Sequence, residues 1–266
     1  MVSNVQTQKQ NLVLQLAGAL ADQSVKIVDL TNKLSDQTPT LQLPEPFKNL
    51  NDFSLEEVAR YDENGPLWRH QNISMGEHIG THIDAPIHWI SGKDGKCVAS
   101  IEPERLVGPA AVLDVSEQVA ADADFLVDVA DIKAWEAEHG PLPQNGWLLV
   151  RTGWDQYAQD QEAFVNIDEN GSHTPGFTAE CARWLAEDTE ISGVGVETVG
   201  IDQGNAATLE PPFPMHYYLL GNDKYGVTSL QNLSTLPATG AVVVVSPLPI
   251  VDGTGSPCRV FALVEG

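Results

Sequence analysis

The sequence predicts an α/β fold: a single domain built on a mixed sheet with few helices. Three observations predict it. Short β-branched runs recur along the whole chain, and two segments with helical spacing lie between them. No fixed-period repeat, low-complexity tract or Pro/Ser-rich linker divides the chain.

Taken in order, residues 11–21 (NLVLQLAGALA) place Leu12, Leu16 and Leu20 at the spacing of an amphipathic helix. The run ends in small residues, as a secretory signal does. Its flank, MVSNVQTQKQ, holds one lysine among polar residues, which favours a short helix over a cleaved leader. Residues 1–24 are read as an N-terminal helical extension and 25–266 as the functional domain. Strands are expected at 25–30 (VKIVDL), 110–115 (AAVLDV), 147–151 (WLLVR), 193–196 (GVGV), 241–246 (AVVVVS) and 259–264 (RVFALV). Several are apolar on both faces, as strands buried within a sheet are. Residues 128–139 carry Val129, Ile132 and Trp135 at helical spacing and stop at Gly140-Pro141. Residues 178–188 open with Thr178 as N-cap and set Cys181, Trp184 and Leu185 on one face.

Composition removes several function classes. The chain has 37 Asp plus Glu against 14 Lys plus Arg, a net charge of −23. Such a surface repels phosphate backbones, so no nucleic-acid partner is expected, and anionic membranes are disfavoured for the same reason. No apolar run approaches the roughly 20 residues of a bilayer-spanning helix. Cys97, Cys181 and Cys258 are odd in number, far apart and without CxxC, which argues for a reducing compartment, taken as the cytoplasm.

Two stretches, 65–95 and 197–225, are poor in regular signals yet rich in Trp, Tyr, His and Pro, which marks them as functional loops. The first contains GEHIGTHIDAPIHW, residues 76–89. His78, His82 and Asp84 form a nitrogen and oxygen donor set suited to Zn, Mn or Fe(II), with coordination positions left open for water and substrate. Gly80, Thr81 and Pro86 disfavour a helix here, so extended backbone with a tight turn at Gly80 is expected to bring the imidazoles together. His88, beyond the Ala85-Pro86 corner, is the natural general base. Glu77 is expected to point away from the ion, and Trp89 to pack. The same ligand types also serve non-haem Fe(II) oxygenases, although the order H-x-x-x-H-x-D is not their usual one. A non-catalytic metal module would have no need of His88.

HIGTHIDAPIH resembles the H-x-G-T-H-x-D-x-P-x-H signature of the cyclase family of metal-dependent hydrolases, which includes bacterial kynurenine formamidases and isatin hydrolases. VDLTNKL, LVRTGW, GIDQG, PPFPMHYYLL and GTGSPCRVFALV extend the resemblance over most of the chain, closest to the isatin-hydrolase branch. The resemblance implies a swivelling β/β/α fold, dimeric assembly, His78, His82 and Asp84 as metal ligands, and His88 as catalytic base. His216 corresponds to a histidine that ligates a second zinc in the formamidases and contacts substrate in the isatin branch. Formamidases complete that second site with the glutamate of an E-N-L triplet, whereas this chain reads Gln231-Asn232-Leu233. One metal per subunit is therefore expected, Mn²⁺ with Zn²⁺ as the alternative, and substrate is expected at His216, Gly80, Thr81 and Phe213. Trp68 and Tyr217 are further aromatic candidates, Gln203 a pocket candidate, and Asp202 either supports the site or turns the chain. Arg151 is read as a structural ion-pair partner, His139 as a complement to a helix dipole and His173 as a loop residue. The implied reaction is hydrolysis of the lactam of isatin to isatinate, a small aromatic cyclic amide; the alternative is N-formylkynurenine or another small cyclic amide or ester.

Overall fold

The structure, a computed structural model, describes residues 11–43 and 45–266. The polar flank 1–10, which bears on the choice between helix and leader, lies outside the described residues. Strand β1 (Val25–Asp29) is followed by β2 (Ser54–Arg60), β3 (Arg69–Ser74), β4 (His82–Asp84), β5 (Val107–Asp114), β6 (Trp147–Arg151), β7 (Gly193–Val196), β8 (Tyr225–Thr228), β9 (Ala241–Pro247) and β10 (Gly255–Glu265). Strands β5, β6, β7 and β8 lie side by side in parallel, and β4, β10 and β9 complete the ring antiparallel, so the mixed sheet closes into a seven-stranded barrel. β10 makes the closure. Its first residues pair with β4 (Gly255↔Asp84, Pro257↔His82), and its later residues take β1 along the same edge (Val25↔Glu265).

Alternation along the strands sends side chains into two cores. Trp147 and Leu149 of β6 join Ile83, Tyr225, Val243 and Val260 inside the barrel. Leu148 and Val150 face outward to meet Ile132, Trp135 and Leu185. These last belong to the helices α2 (Val129–His139) and α3 (Ala179–Glu187), which cover the outer face of the parallel strands, and this double burial is why those strands read as apolar on both faces. The caps follow the sequence. Asp128 accepts from the Asp131 N–H in a capping box, Gly140 (φ 92°) ends α2, and Thr178 accepts from the Cys181 N–H.

Two regions differ from the expected pattern. Helix α1 (Leu12–Ala21) forms behind an Asn11 cap, yet none of its residues is buried, and its Leu12, Leu16 and Leu20 stripe faces solvent. The hairpin β2–β3 breaks into the stretch expected to be irregular; RHQNIS and SLEEVAR carry no alternating apolar face, and nearly every residue of the pair is exposed.

Candidate active site

The site is built where β4 meets β8 and β10. His82 and Asp84 are two apart in a strand, so their side chains leave the same face, while Ile83 between them enters the barrel core. Gly80 stands at φ +58°, a conformation glycine adopts without strain, and turns the chain so that His78 folds back over that face. The histidines therefore converge through a turn and a strand. The Pro86–His88 turn then brings the His88 ring onto His78, stacked with centroids 3.9 Å apart.

His78 Nδ1 lies 2.8 Å and His82 Nε2 3.4 Å from Asp84 Oδ1, and the three ligand atoms lie within 4.8 Å of one another. Neighbouring donors about 2.1 Å from one ion stand about 3.0–3.4 Å apart, so the cluster has the dimensions of a metal site. Its chemistry fits too. Asp84 is 1% exposed, and its ion-pair partners among the described residues are imidazoles only. Burial opposes its ionisation most strongly, but hydrogen bonds from His78 and His82 hold the carboxyl well below the usual range. The His82 ring donates from Nδ1 to the Gly80 carbonyl at 2.8 Å, so a cation that displaces the Nε2 proton facing Asp84 would find the Nε2 lone pair in its place. His78 Nε2 bonds Thr254 Oγ1 at 2.9 Å.

His216 comes from the helical turn His216–Leu220, 130 and more positions along the chain, and its Nε2 stops 3.8 Å from Asp84 Oδ2. Asp202 holds it there. One carboxylate oxygen accepts from the Met215 N–H at 2.8 Å, and the other takes His216 Nδ1–H at 2.6 Å. Burial disfavours the charged ring, yet the Asp202 hydrogen bond and charge raise the His216 pKa. His88 has the opposite environment. Desolvation lowers it most, Asp84 opposes that, and the surrounding imidazoles lower it further, so it falls to about 3 and the ring is uncharged at neutral pH. The Trp89 ring stands 4.7 Å from the His216 ring and 5.3 Å from the Phe213 ring, centroid to centroid, and neither Trp89 nor Phe213, which the sequence placed at the substrate, is among the residues that line the cavity over the cluster.

A cavity of about 350 Å³ opens over the cluster, lined by His78, His82, Asp84, His88 and His216. It is also lined by Leu41, Leu43 and Leu50, in a loop without periodicity that the sequence did not mark, and by Val199 and Gly200, within the 197–225 stretch that it did. Other residues fall elsewhere. Thr81 Oγ1 donates to the Ser229 carbonyl and accepts from the Asn32 N–H, away from the cavity, and Gly80 offers its carbonyl to His82 rather than to the opening. Trp68 is 47% exposed on the hairpin beside His70, and Tyr217 faces solvent, so neither lines the cavity. Gln203 backs Gly176 outside it. Glu77 turns from the ligands to Thr254. Arg151 pairs with Asp114, the His139 ring packs on Trp135 at the end of α2, and His173 bridges Asp124 and Asp168.

A family model described as "Putative cyclase" matches residues 28–203. The chain is 43% identical over 258 residues to isatin hydrolase of Roseibium aggregatum, covering 96% of this chain and 98% of that one. It is 27% identical over 235 residues to kynurenine formamidase of Bacillus mycoides, covering 87% and 94%. A crystal structure of an isatin hydrolase bound to the product analogue thioisatinate superposes with a TM-score of 0.94 at 42% identity, over 97% of this chain and 99% of that one.

Proposed function

The chain belongs to the cyclase family of metal-dependent hydrolases, and we propose that it opens the five-membered lactam of isatin to isatinate. The observation that carries this reading is the buried His78–His82–Asp84 cluster, faced by His88 and His216, in a chain alike end to end with an isatin hydrolase. His78, His82 and Asp84 hold one divalent ion, Mn²⁺ in preference to Zn²⁺. When bound, that ion supplies a Lewis acid that acidifies water and polarises the carbonyl.

The protein's own groups do the rest. His88, uncharged at neutral pH, takes the proton from the attacking water. As the carbon–nitrogen bond of the tetrahedral adduct breaks, His88 returns that proton to the departing nitrogen, giving a ring-opened keto-acid with a free aniline. His216, fixed by Asp202, holds a substrate oxygen through Nε2, and Trp89 with Phe213 packs against the His216 ring.

Residues 25–266 form the hydrolase domain and 1–24 an extension. We assign a homodimer, since the exposed apolar stripe of α1 and the exposed Leu55, Ile73 and Trp68 of the β2–β3 hairpin suit a second copy better than water. No helix among the described residues is long and apolar enough to cross a membrane, and the free cysteines suit the reducing cytoplasm. The test is isatin turnover by chelator-stripped protein resupplied with Mn²⁺ or Zn²⁺, with N-formylkynurenine in parallel. Restoration of isatin opening by Mn²⁺ is expected. Turnover of the formamide alone would move the chain to the formamidase branch.

A further inference from the structure

We propose that Glu77 and Thr254 form a two-residue relay that fixes the proton of His78 on Nε2 and thereby presents Nδ1 to the metal. The inference rests on the metal-centre reading above and adds two positioning residues to it.

Thr254 Oγ1 carries one hydrogen. It lies 2.7 Å from Glu77 Oε2, which also accepts the Thr254 main-chain N–H at 3.1 Å. A carboxylate only accepts, so the hydroxyl proton is committed to Glu77. Toward His78 Nε2, 2.9 Å away, the same hydroxyl can then act only as acceptor, and Nε2 must carry the hydrogen. A cation taking the place of the proton that Nδ1 shares with Asp84 Oδ1 across 2.8 Å then meets the Nδ1 lone pair, aimed into the cluster. With Thr254 free of Glu77, its hydroxyl could donate to Nε2, and the ring could settle in the wrong tautomer.

The surrounding chain is shaped for this relay. Thr254 sits between two buried glycines. A Cβ at Gly255 would lie 2.5 Å from the His78 ring, and one at Gly253 3.0 Å from Glu77 Oε1. The Thr254 carbonyl accepts the Ala85 N–H at 2.9 Å, and Gly255 stands opposite Asp84 in the β4–β10 ladder, so the relay is tied in register to the ligand strand. Partners of this kind orient ligating imidazoles and change metal affinity by about 10–100-fold when removed.

The experiment measures Mn²⁺ and Zn²⁺ affinity by chelator competition for the parent, Thr254→Val, Thr254→Ser, Glu77→Ala and Glu77→Gln, with circular dichroism of each stripped protein to confirm folding. Long-range ¹⁵N–¹H NMR of the Zn²⁺-loaded parent reads which nitrogen of His78 is protonated. Expected are an Nε2–H tautomer, affinity lower by about 10–100-fold in Thr254→Val and Glu77→Ala, and recovery in Thr254→Ser and Glu77→Gln, which keep the hydroxyl and the acceptor. A folded Thr254→Val that binds as tightly as the parent, or a parent protonated on Nδ1, overturns the relay alone. A parent that binds neither ion overturns the metal-centre reading, and the relay with it.

Discussion

Asp84 and Glu197 are both carboxyl groups withdrawn from solvent, 1% and 0% exposed, one at the cavity and one just past the end of β7. Their surroundings drive them in opposite directions. Asp84 lies among imidazoles that can carry positive charge, and these overcome its burial and keep it ionised. Glu197 Oε2 accepts from the Thr152 N–H at 2.7 Å, the Thr152 hydroxyl at 3.0 Å and the Gly153 N–H at 2.7 Å, while Oε1 has no partner among the described residues. Those donors are neutral. Burial outweighs them, the Asp155 charge adds to it, and Glu197 rises to about 7. Neutral hydrogen bonds thus leave a buried acid half-protonated, whereas groups able to bear charge leave it anionic, and only the second state can ligate a cation.

The most severe test of this contrast removes the anion itself. Asp84→Asn, and equally His82→Ala, should abolish metal uptake in chelator competition and cut hydrolysis on the order of 10³-fold, several kcal/mol at about 1.4 kcal/mol per decade. Full metal content in folded Asp84→Asn would break the comparison. Next comes His88→Ala, which spares the ligand set. It should keep its metal yet lose about 10²–10⁴-fold in rate, and a parental rate would remove His88 from the chemistry.

Asp202→Asn sharpens the contrast at a neighbouring imidazole. Its KM for isatin should rise about tenfold, the worth of one charge-assisted hydrogen bond of ~1.5 kcal/mol. Because Asp202 raises the His216 pKa, and the ring donates to substrate through Nε2 while Nδ1–H is held by Asp202, the alkaline limb of the pH–rate profile should also move to lower pH in the variant. An unmoved limb would mean that His216 does not govern it.

Smallest in catalysis and clearest in stability is Glu197→Gln. The folded state holds the Glu197 proton more tightly than the unfolded chain, so its stabilisation is complete below about 4.5 and is lost as pH rises through about 7. The amide has no proton to lose. The melting temperature of Glu197→Gln relative to the parent should therefore improve steadily from pH 4.5 to 8. A difference independent of pH would show that the group is already ionised when folded.

Much of this molecule was legible in one dimension. Strand runs such as WLLVR are apolar on both faces because both faces are covered, and the caps at Asp128 and Thr178 are local hydrogen bonds that need no tertiary context. The cluster was legible because its donors fall within one short segment, where Gly80 alone supplies the turn. What escaped is long-range. Thr254 meets Glu77 across 177 positions, and Asp202 meets His216 only because the chain between them doubles back. Thr81 shows the converse: its place in the motif suggested the cavity, while a hydroxyl beside the Ser229 carbonyl found a partner behind the strand instead. The hairpin β2–β3 went unmarked because exposed strands carry no alternating apolar face to reveal them.

The closure by β10 has a consequence for biosynthesis. His82 and Asp84 are made well before the β10 residues that pair with them on the side away from β8, and the threonine that reaches Glu77 follows it by 177 positions. Pairing over so great a separation is slow, because loop-closure entropy must be overcome before the contact forms. Until then the nascent chain carries His82 and Asp84 on a strand whose β10 side is unpaired and open to association with other chains. Hydrolytic activity therefore switches on late and all at once, and a translation product cut short before Thr254 would be silent however much of its motif it contains.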